Sequence, residues 1–468
     1  MTLPHGFGVR LVPGILIADH GRLLVGGSPL TAMRLSQRAQ AMLTKGAVSV
    51  TDPDSAQVAD RLLATNLGIP DLGEIPAVAE HDLTVVIPVR DRPDQLDRTL
   101  AALHPLHCVV VDDASLDPEP VAAVARRHNA HLISLPVNVG PAGARNAGLA
   151  TVSTPYVAFV DSDVEIAGSE VARLARHFAD PAVSLVGPRI SGIARSAHPW
   201  WFERYDAEAS SLTLGTTPGT VQPGAAVAWL PSACLVARTA AITPGFDPGL
   251  RVGEDVDLVW RLVEAGHRVR YDPTIEAHHD ARQTMHGWLG RKFVYGSGGA
   301  ALAARHGNKL APAVLTPSYA IAAAALLLRS RWTIPVATLA LASGTRSVRA
   351  ALPDTPGRDA IAARLAVRGL VWAVRQESAL LLRHWWPVAL VAATRSQQMR
   401  RALVSALVVD AAVAMSERPT ESQLGPAALA AGRRLNDLAY GAGLWSGAVR
   451  AHSPRVLRPR IPLSPRGG

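Results

Sequence analysis

The sequence predicts an α/β protein: an alternating strand–helix domain at 80–300, a small α+β domain before it at 1–79, and an apolar helical region after it at 301–468. Three observations carry this. Short apolar runs at 83–88, 108–111, 131–135, 156–160 and 183–187 alternate with helix-like stretches at 94–103, 118–129 and 169–179. A Pro/Gly-rich stretch at 68–76 reads as a linker that sets off the first domain. From residue 300 onward the texture changes to Ala, Leu and Val with scattered Arg.

Each element has its own signal. The alternating runs 8–17 and 22–25, around the turn-like His20-Gly21, predict a β-hairpin, and helices are expected near 32–44 and 56–66. In the middle domain Asp117 is placed to cap the second helix, with Pro118 at its first position. In the last region, 310–328 carries no charge over 19 residues, long enough to cross a bilayer. Pro312 and Pro317 interrupt it, and Arg329 and Arg331 end it. The uncharged runs 332–345, 385–394 and 402–409 are shorter, so membrane helices and buried helices of a globular unit both stay open. The tail from Arg450, with five Arg among Pro and Ser, is expected to be disordered.

Composition removes several classes. With 48% hydrophobic and 18% charged residues, the chain is neither disordered nor a coiled coil. Two cysteines, Cys108 and Cys234, exclude a disulfide scaffold and suit a reducing compartment. The net charge of +9 leaves nucleic acid, an anionic membrane or a phosphorylated substrate as partners. Aromatics at 5% are few for a protein that stacks bases, so no nucleic-acid partner is expected. Residues 1–13 lack the charged start and long apolar run of a secretory signal.

Five motifs lie at strand ends or helix starts. The run Thr84-Val85-Val86-Ile87-Pro88-Val89-Arg90-Asp91-Arg92 is an apolar strand closed by Pro and charge, and Val109-Val110-Val111-Asp112-Asp113 is another that ends in two carboxylates. Ligands of open α/β sheets gather at such carboxyl ends, although turn and cap roles suit the same residues. Glycines in Gly140-Pro141-Ala142-Gly143-Ala144-Arg145-Asn146-Ala147-Gly148 permit close approach to a ligand, and Arg145 has the chemistry to face phosphate. The strand 156–160 delivers Asp161-Ser162-Asp163, whose carboxylates would share one side in an extended chain and suit a hard divalent cation. Gly253-Glu254-Asp255 opens a helix. His278-His279 fits metal, phosphate or a structural role, and Arg291-Lys292 forms a basic cluster.

Their order and spacing resemble the family 2 inverting glycosyltransferases of the GT-A fold, the nucleotide-diphospho-sugar transferase fold, over about 82–300. The resemblance implies a UDP-sugar donor held by Pro88, Arg90, Asp113, Arg145, Asp161 and Arg291. Within that set Asp113 would read the uracil-type base and Asp161 the ribose and diphosphate side. It further implies a divalent metal, Mg²⁺ or Mn²⁺, at Asp163 and His278, and Asp255 as the catalytic base. The Gln-x-x-Arg-Trp motif of processive members is absent, and Arg291-Lys292-Phe293 stands in its place.

The whole layout is similar to the mycofactocin-system glycosyltransferases. That implies transfer of glucose from UDP-glucose to a peptide-derived redox cofactor as a short β-1,4-glucan, with residues 1–79 resembling small peptide-recognition domains. A membrane glycosyltransferase with a lipid or cell-wall acceptor is the alternative. The basic residues that bound 310–328 predict a position at the cytoplasmic face of the cell membrane.

Overall fold

Buried β-branched runs, too apolar to alternate faces, form a sheet covered by helices on both sides. In the computed structural model, which describes residues 2–418, 422 and 424–461, strands Leu83–Val89, His107–Asp112, His131–Ser134 and Tyr156–Val160 are mutually parallel. Cys234–Arg238 runs antiparallel beside Tyr156–Val160, followed outward by Val183–Ile193, Arg268–Asp280 and the short Val164–Glu165. The chain steps outward in one direction from Leu83–Val89, then restarts on its other side at Tyr156–Val160. This reversal is a topological switch point, where carboxyl strand ends open a crevice. The core beneath includes Val85, Ile87, Val110, Ala158, Val160 and Val186, all fully buried.

Two compact units result: residues Met1–Arg195 with Asp206–Ala281, and residues Ser196–Tyr205 with Arg282–Gly468. The first unit includes the small amino-terminal domain, which has two three-stranded antiparallel sheets and its own core around Phe7, Val9, Leu62 and Leu63. Helix Pro53–Ala64 starts on a capping box, with the Asp52 carboxylate accepting from Ser55 N–H at 2.7 Å and Ser55 Oγ accepting from Asp52 N–H. This domain is bound to the large sheet by Asp60 with Arg268 at 2.6 Å, by Asn66 Nδ2 donating to Thr220 O at 3.0 Å, and by Thr220 Oγ1 donating to Leu63 O at 2.8 Å.

Three local expectations change. The stretch 68–76 is not a free linker: Gly68–Asp71 pairs antiparallel with Gly8–Leu11, which satisfies backbone groups that a linker would leave to water. The helix expected near 32–44 divides into strand Thr31–Arg34 and helix Gln37–Met42, because pairing with Leu23–Gly26 overrides local helix propensity. Asp117 accepts from Glu119 N–H at 3.3 Å, but the residue at the cap position is Pro118.

The second unit is helical. Its long helices Met285–His306 and Pro426–Arg450 approach so closely that a Cβ at Gly296 would collide with the Tyr440 carbonyl, and one at Gly443 with the Phe293 carbonyl. The uncharged run 310–328 is not one helix. A 3₁₀ turn ends at Leu310, Val314 bridges to Arg460, and Pro317 opens a helix of only 12 residues, Pro317–Leu328. Among the described residues no helix is long and apolar enough to cross a membrane. The tail expected to be disordered is ordered through Ile461, with a turn at Arg455–Leu457 and Leu315 N–H donating to Arg460 O at 2.9 Å. Its remainder, 462–468, lies outside the described residues.

Candidate active site

The carboxyl ends of the central strands bring the acidic motifs together. After Leu83–Val89 the chain turns through Asp91, whose φ of 55° suits Asp better than a β-branched residue. Asp91 Oδ1 accepts from Leu116 N–H at 2.7 Å, and Ser115 Oγ accepts from Asp91 N–H at 2.9 Å, so the loops after two neighbouring strands brace each other. Arg90 Nε donates to Ala114 O at 3.3 Å, and Pro88, one residue before the strand end, lies in register with Val111. Asp113 is buried, with one carboxylate oxygen accepting from Val139 N–H at 2.7 Å and the other from Gly140 N–H at 2.9 Å. Gly140 has φ of 79°, which an L side chain would strain. This clamp fixes the start of helix Gly140–Leu149 beneath the crevice.

Asp161 and Asp163 do not lie in extended chain. The strand ends at Val160, and Val164 N–H donates to Asp161 O at 3.0 Å, closing a turn that sends the two carboxylates to different partners. Asp161 Oδ1 accepts from Arg145 Nη2 at 2.5 Å, and Asp163 Oδ2 accepts from Arg92 Nη1 at 2.5 Å. The sequence places Arg92 only among the charges that close the first motif, since an Arg beside Pro93 has no signature of its own. Neighbouring positions of a strand face opposite sides, and this separates the two histidines of Arg268–Asp280. His279 Nε2 lies 3.6 Å from Asp163 Oδ1, whereas His278 Nδ1 is buried without a hydrogen-bond partner. The imidazole beside Asp163 is therefore that of His279, one residue from the one expected.

The Asp163–His279 pair has the chemistry for a divalent cation: one hard carboxylate, one imidazole, and coordination positions left for diphosphate oxygens and water. Among the described residues no group of three or more His, Cys, Asp or Glu side chains is arranged to hold a metal by itself.

Helix Glu254–Glu264 faces the same strand ends. Gly253 enters it at φ of 83°. Glu254 is buried and accepts from Arg145 Nη1 at 2.9 Å. Asp255 Oδ1 accepts from Val256 N–H at 2.8 Å and Oδ2 from Ser232 N–H at 3.2 Å. Burial first, then the adjacent Glu254, raises the Asp255 carboxyl to about 7. A carboxyl poised there exists in both protonation forms near neutral pH, as proton transfer requires.

Arg145 departs from expectation. It is 2% exposed, with its guanidinium committed to Asp161 and Glu254, so it does not present a free face to phosphate. Arg291 lies in the second unit, on helix Met285–His306, with its guanidinium 5.2 Å from the Tyr295 ring centroid. Both cysteines are free and buried. Burial pushes the Cys108 thiol up to about 12 and Cys234 higher still, which removes them from nucleophilic chemistry.

Comparison with known proteins bears on this geometry. The family model described as glycosyl transferase family 2 matches residues 84–228, which hold the strand ends bearing Pro88, Asp113, Asp161 and Asp163. The chain is 39% identical to the pre-mycofactocin glycosyltransferase of Mycobacterium tuberculosis (strain CDC 1551 / Oshkosh), over 98% of both chains. It is 26% identical to an N-acetylglucosaminyltransferase of Rhizobium meliloti (strain 1021), over 52% of this chain and 57% of the relative. Among solved structures, the mannosyltransferase PcManGT from Pyrobaculum calidifontis in complex with GDP-Man and Mn²⁺ is 16% identical, with a TM-score of 0.41 and coverage of 82% of this chain and 89% of that one.

Proposed function

The chain belongs to glycosyl transferase family 2, in the branch that contains the pre-mycofactocin glycosyltransferases, and from that premise we propose that it transfers glucose from UDP-glucose, with inversion, to a peptide-derived redox cofactor. Its fold is GT-A and its activity is glycosyl transfer. The finer reading rests on Asp255, a half-buried carboxyl poised near neutral pH on the helix that Arg145 ties to Asp161, and the short β-1,4-linked product on the resemblance to the mycofactocin-system enzymes. In this reading Asp255 accepts the acceptor hydroxyl proton as that oxygen attacks the anomeric carbon opposite the diphosphate. The new C–O bond forms as the bond to diphosphate breaks, and the configuration inverts. Asp113 and the loop it clamps orient the nucleoside, and Asp161 lies on the ribose and diphosphate side. Asp163 and His279 would hold Mg²⁺ or Mn²⁺, which would supply charge stabilisation to the departing diphosphate. Residues 1–79 carry none of the donor carboxylates, and we assign them to docking the peptide-derived acceptor.

The test is a screen of UDP-sugars with purified protein and the peptide-derived acceptor, read by mass. A gain of one hexose per turnover from UDP-glucose supports the reading. Transfer from another nucleotide sugar alone, or to a lipid alone, overturns it.

A membrane-facing position has its own support. From Arg282 onward the chain carries 25 Arg and Lys against 7 Asp and Glu, while the first 281 residues carry 22 against 31. Trp332, Ile334, Val371, Trp372, Val404 and Val408 are exposed on the helices of the second unit. Arg331 stacks on Trp332 and Arg375 on Trp372, each 5.4 Å from the ring centroid, a pairing suited to a headgroup layer. We infer that these helices lie on the anionic cytoplasmic face of the membrane without crossing it.

A further inference from the structure

Asp255 is one of two adjacent carboxylates, and what distinguishes it from its neighbour is a single guanidinium. Arg145 donates to Glu254 from one nitrogen, at 2.9 Å, and to Asp161 from another, at 2.5 Å. Its guanidinium carbon lies 5.3 Å from the Phe246 ring centroid, and Phe246 meets Phe159 edge-on at 5.0 Å, on the strand that delivers Asp161. One buried cation thus ties the helix Gly140–Leu149, the end of Tyr156–Val160 and the start of Glu254–Glu264. Asp255 has a different environment. Its hydrogen bonds come from two backbone N–H groups, Val256 and Ser232. The charged groups that act on it are Glu254 from its own helix and Arg145 from the neighbouring one, with Asp161 beyond Arg145. Asp257 and Arg261, further along the helix, pair with each other at 2.8 Å.

We propose that Arg145 and Glu254 are positioning residues that assign the proton-accepting role to Asp255: Arg145 pairs with Glu254 and turns it away, which leaves Asp255, held by two backbone N–H groups, to meet the acceptor. A carboxylate paired with a buried guanidinium is committed to that pair, and a carboxylate beside another disfavours a second charge there. The pair therefore shares its labour: Glu254 anchors the helix to Arg145 and Asp255 carries the exchangeable proton. Because Arg145 also holds Asp161, the base-bearing helix is anchored directly to the donor side of the crevice. This proposal rests on the reading of Asp255 as the base.

The experiment uses the full chain and follows kcat for glucose transfer against pH, with UDP binding measured by calorimetry on the same variants. Glu254→Gln removes the neighbouring charge and keeps the shape. It should move the acid limb of the profile to lower pH by roughly one unit, lower the plateau, and leave UDP binding unchanged. Arg145→Met removes the opposing charge and should move the limb to higher pH, while Arg145→Lys should return it towards wild type. A structural role alone would lower activity at every pH without moving the limb, so an unmoved limb in folded Glu254→Gln overturns the proposal. If a variant folds without turnover, the infrared carboxylic C=O band that Asp255→Asn removes reports the same titration directly, and an unshifted band counts equally against it. The underlying reading fails separately, through full transfer by Asp255→Asn.

Discussion

Asp255 and Asp163 differ in what their surroundings ask of them, and substitution separates the two roles. Asp255→Asn keeps the shape but accepts no proton, so transfer should fall by about 10²- to 10⁴-fold while calorimetric UDP binding persists. The same variant should unfold at a higher temperature at pH 8. The folded carboxyl is raised from an ordinary 3.8 to about 7, so the folded state holds the proton more tightly than the unfolded chain. Stability is then lost as pH rises from about 4 to 7, and above 7 the full cost of a buried charge is present. Asn avoids that cost, and thermal scans at pH 5 and pH 8 check the sign. Wild-type turnover should rise with pH through about 7 as Asp255 deprotonates. Asp163→Ala should abolish metal-dependent transfer, an effect of several kcal/mol in the transition state, read by titrating Mn²⁺ into both proteins. Transfer that survives this change and excess chelator would remove Asp163 from the metal site.

Secondary elements were legible wherever burial and propensity agreed. Four of the five strand runs between 83 and 187, all but 131–135, form strands because their Val, Ile and Phe side chains are buried on both faces, and no helical alternative satisfies so unbroken an apolar run. Where pairing decided, local signals misled. Gly68–Asp71 contains Gly and Pro, yet is a strand because Gly8–Leu11 offers it a ladder. The helix pair Met285–His306 and Pro426–Arg450 shows the same dependence on a distant partner. Gly443 looks like a weak point in a helix, but only glycine admits the Phe293 carbonyl there. Gly443→Ala should therefore destabilise the protein by about 1–3 kcal/mol despite its better helix propensity, as a fall in Tm by calorimetry. An unchanged or raised Tm would show that the two helices can separate at no cost.

The charge of the whole molecule is unevenly divided, and this makes its own prediction. The region from Arg282 has a net charge of +18 and the first 281 residues one of −9, so their sum of +9 conceals two oppositely charged parts. Full-length protein should co-sediment with vesicles that contain phosphatidylglycerol, less with phosphatidylcholine alone, and progressively less as salt rises. Trp332→Ser with Trp372→Ser should weaken binding at every salt concentration, because these changes remove apolar insertion and leave the charge intact. Protein that stays in the supernatant with anionic vesicles at low salt would end the membrane reading.

Sequence by itself determined the class of the fold, the order of its central strands and helices, and the identity of its acidic motifs. Each of these is written in short-range patterns: apolar runs, turn residues, and carboxylates at the ends of strands. Tertiary structure alone decided which partner each motif meets. It turned Asp161 and Asp163 apart, put His279 rather than His278 beside Asp163, and drew Arg145 away from the phosphate role into a bridge between Asp161 and Glu254. It also broke 310–328 at its prolines into a piece too short to span a bilayer. The reason is common to the first three. A side chain's direction and a buried charge's partner depend on distant residues, 109 positions away for Arg145 and Glu254, and no local pattern encodes a contact closed only when the sheet assembles.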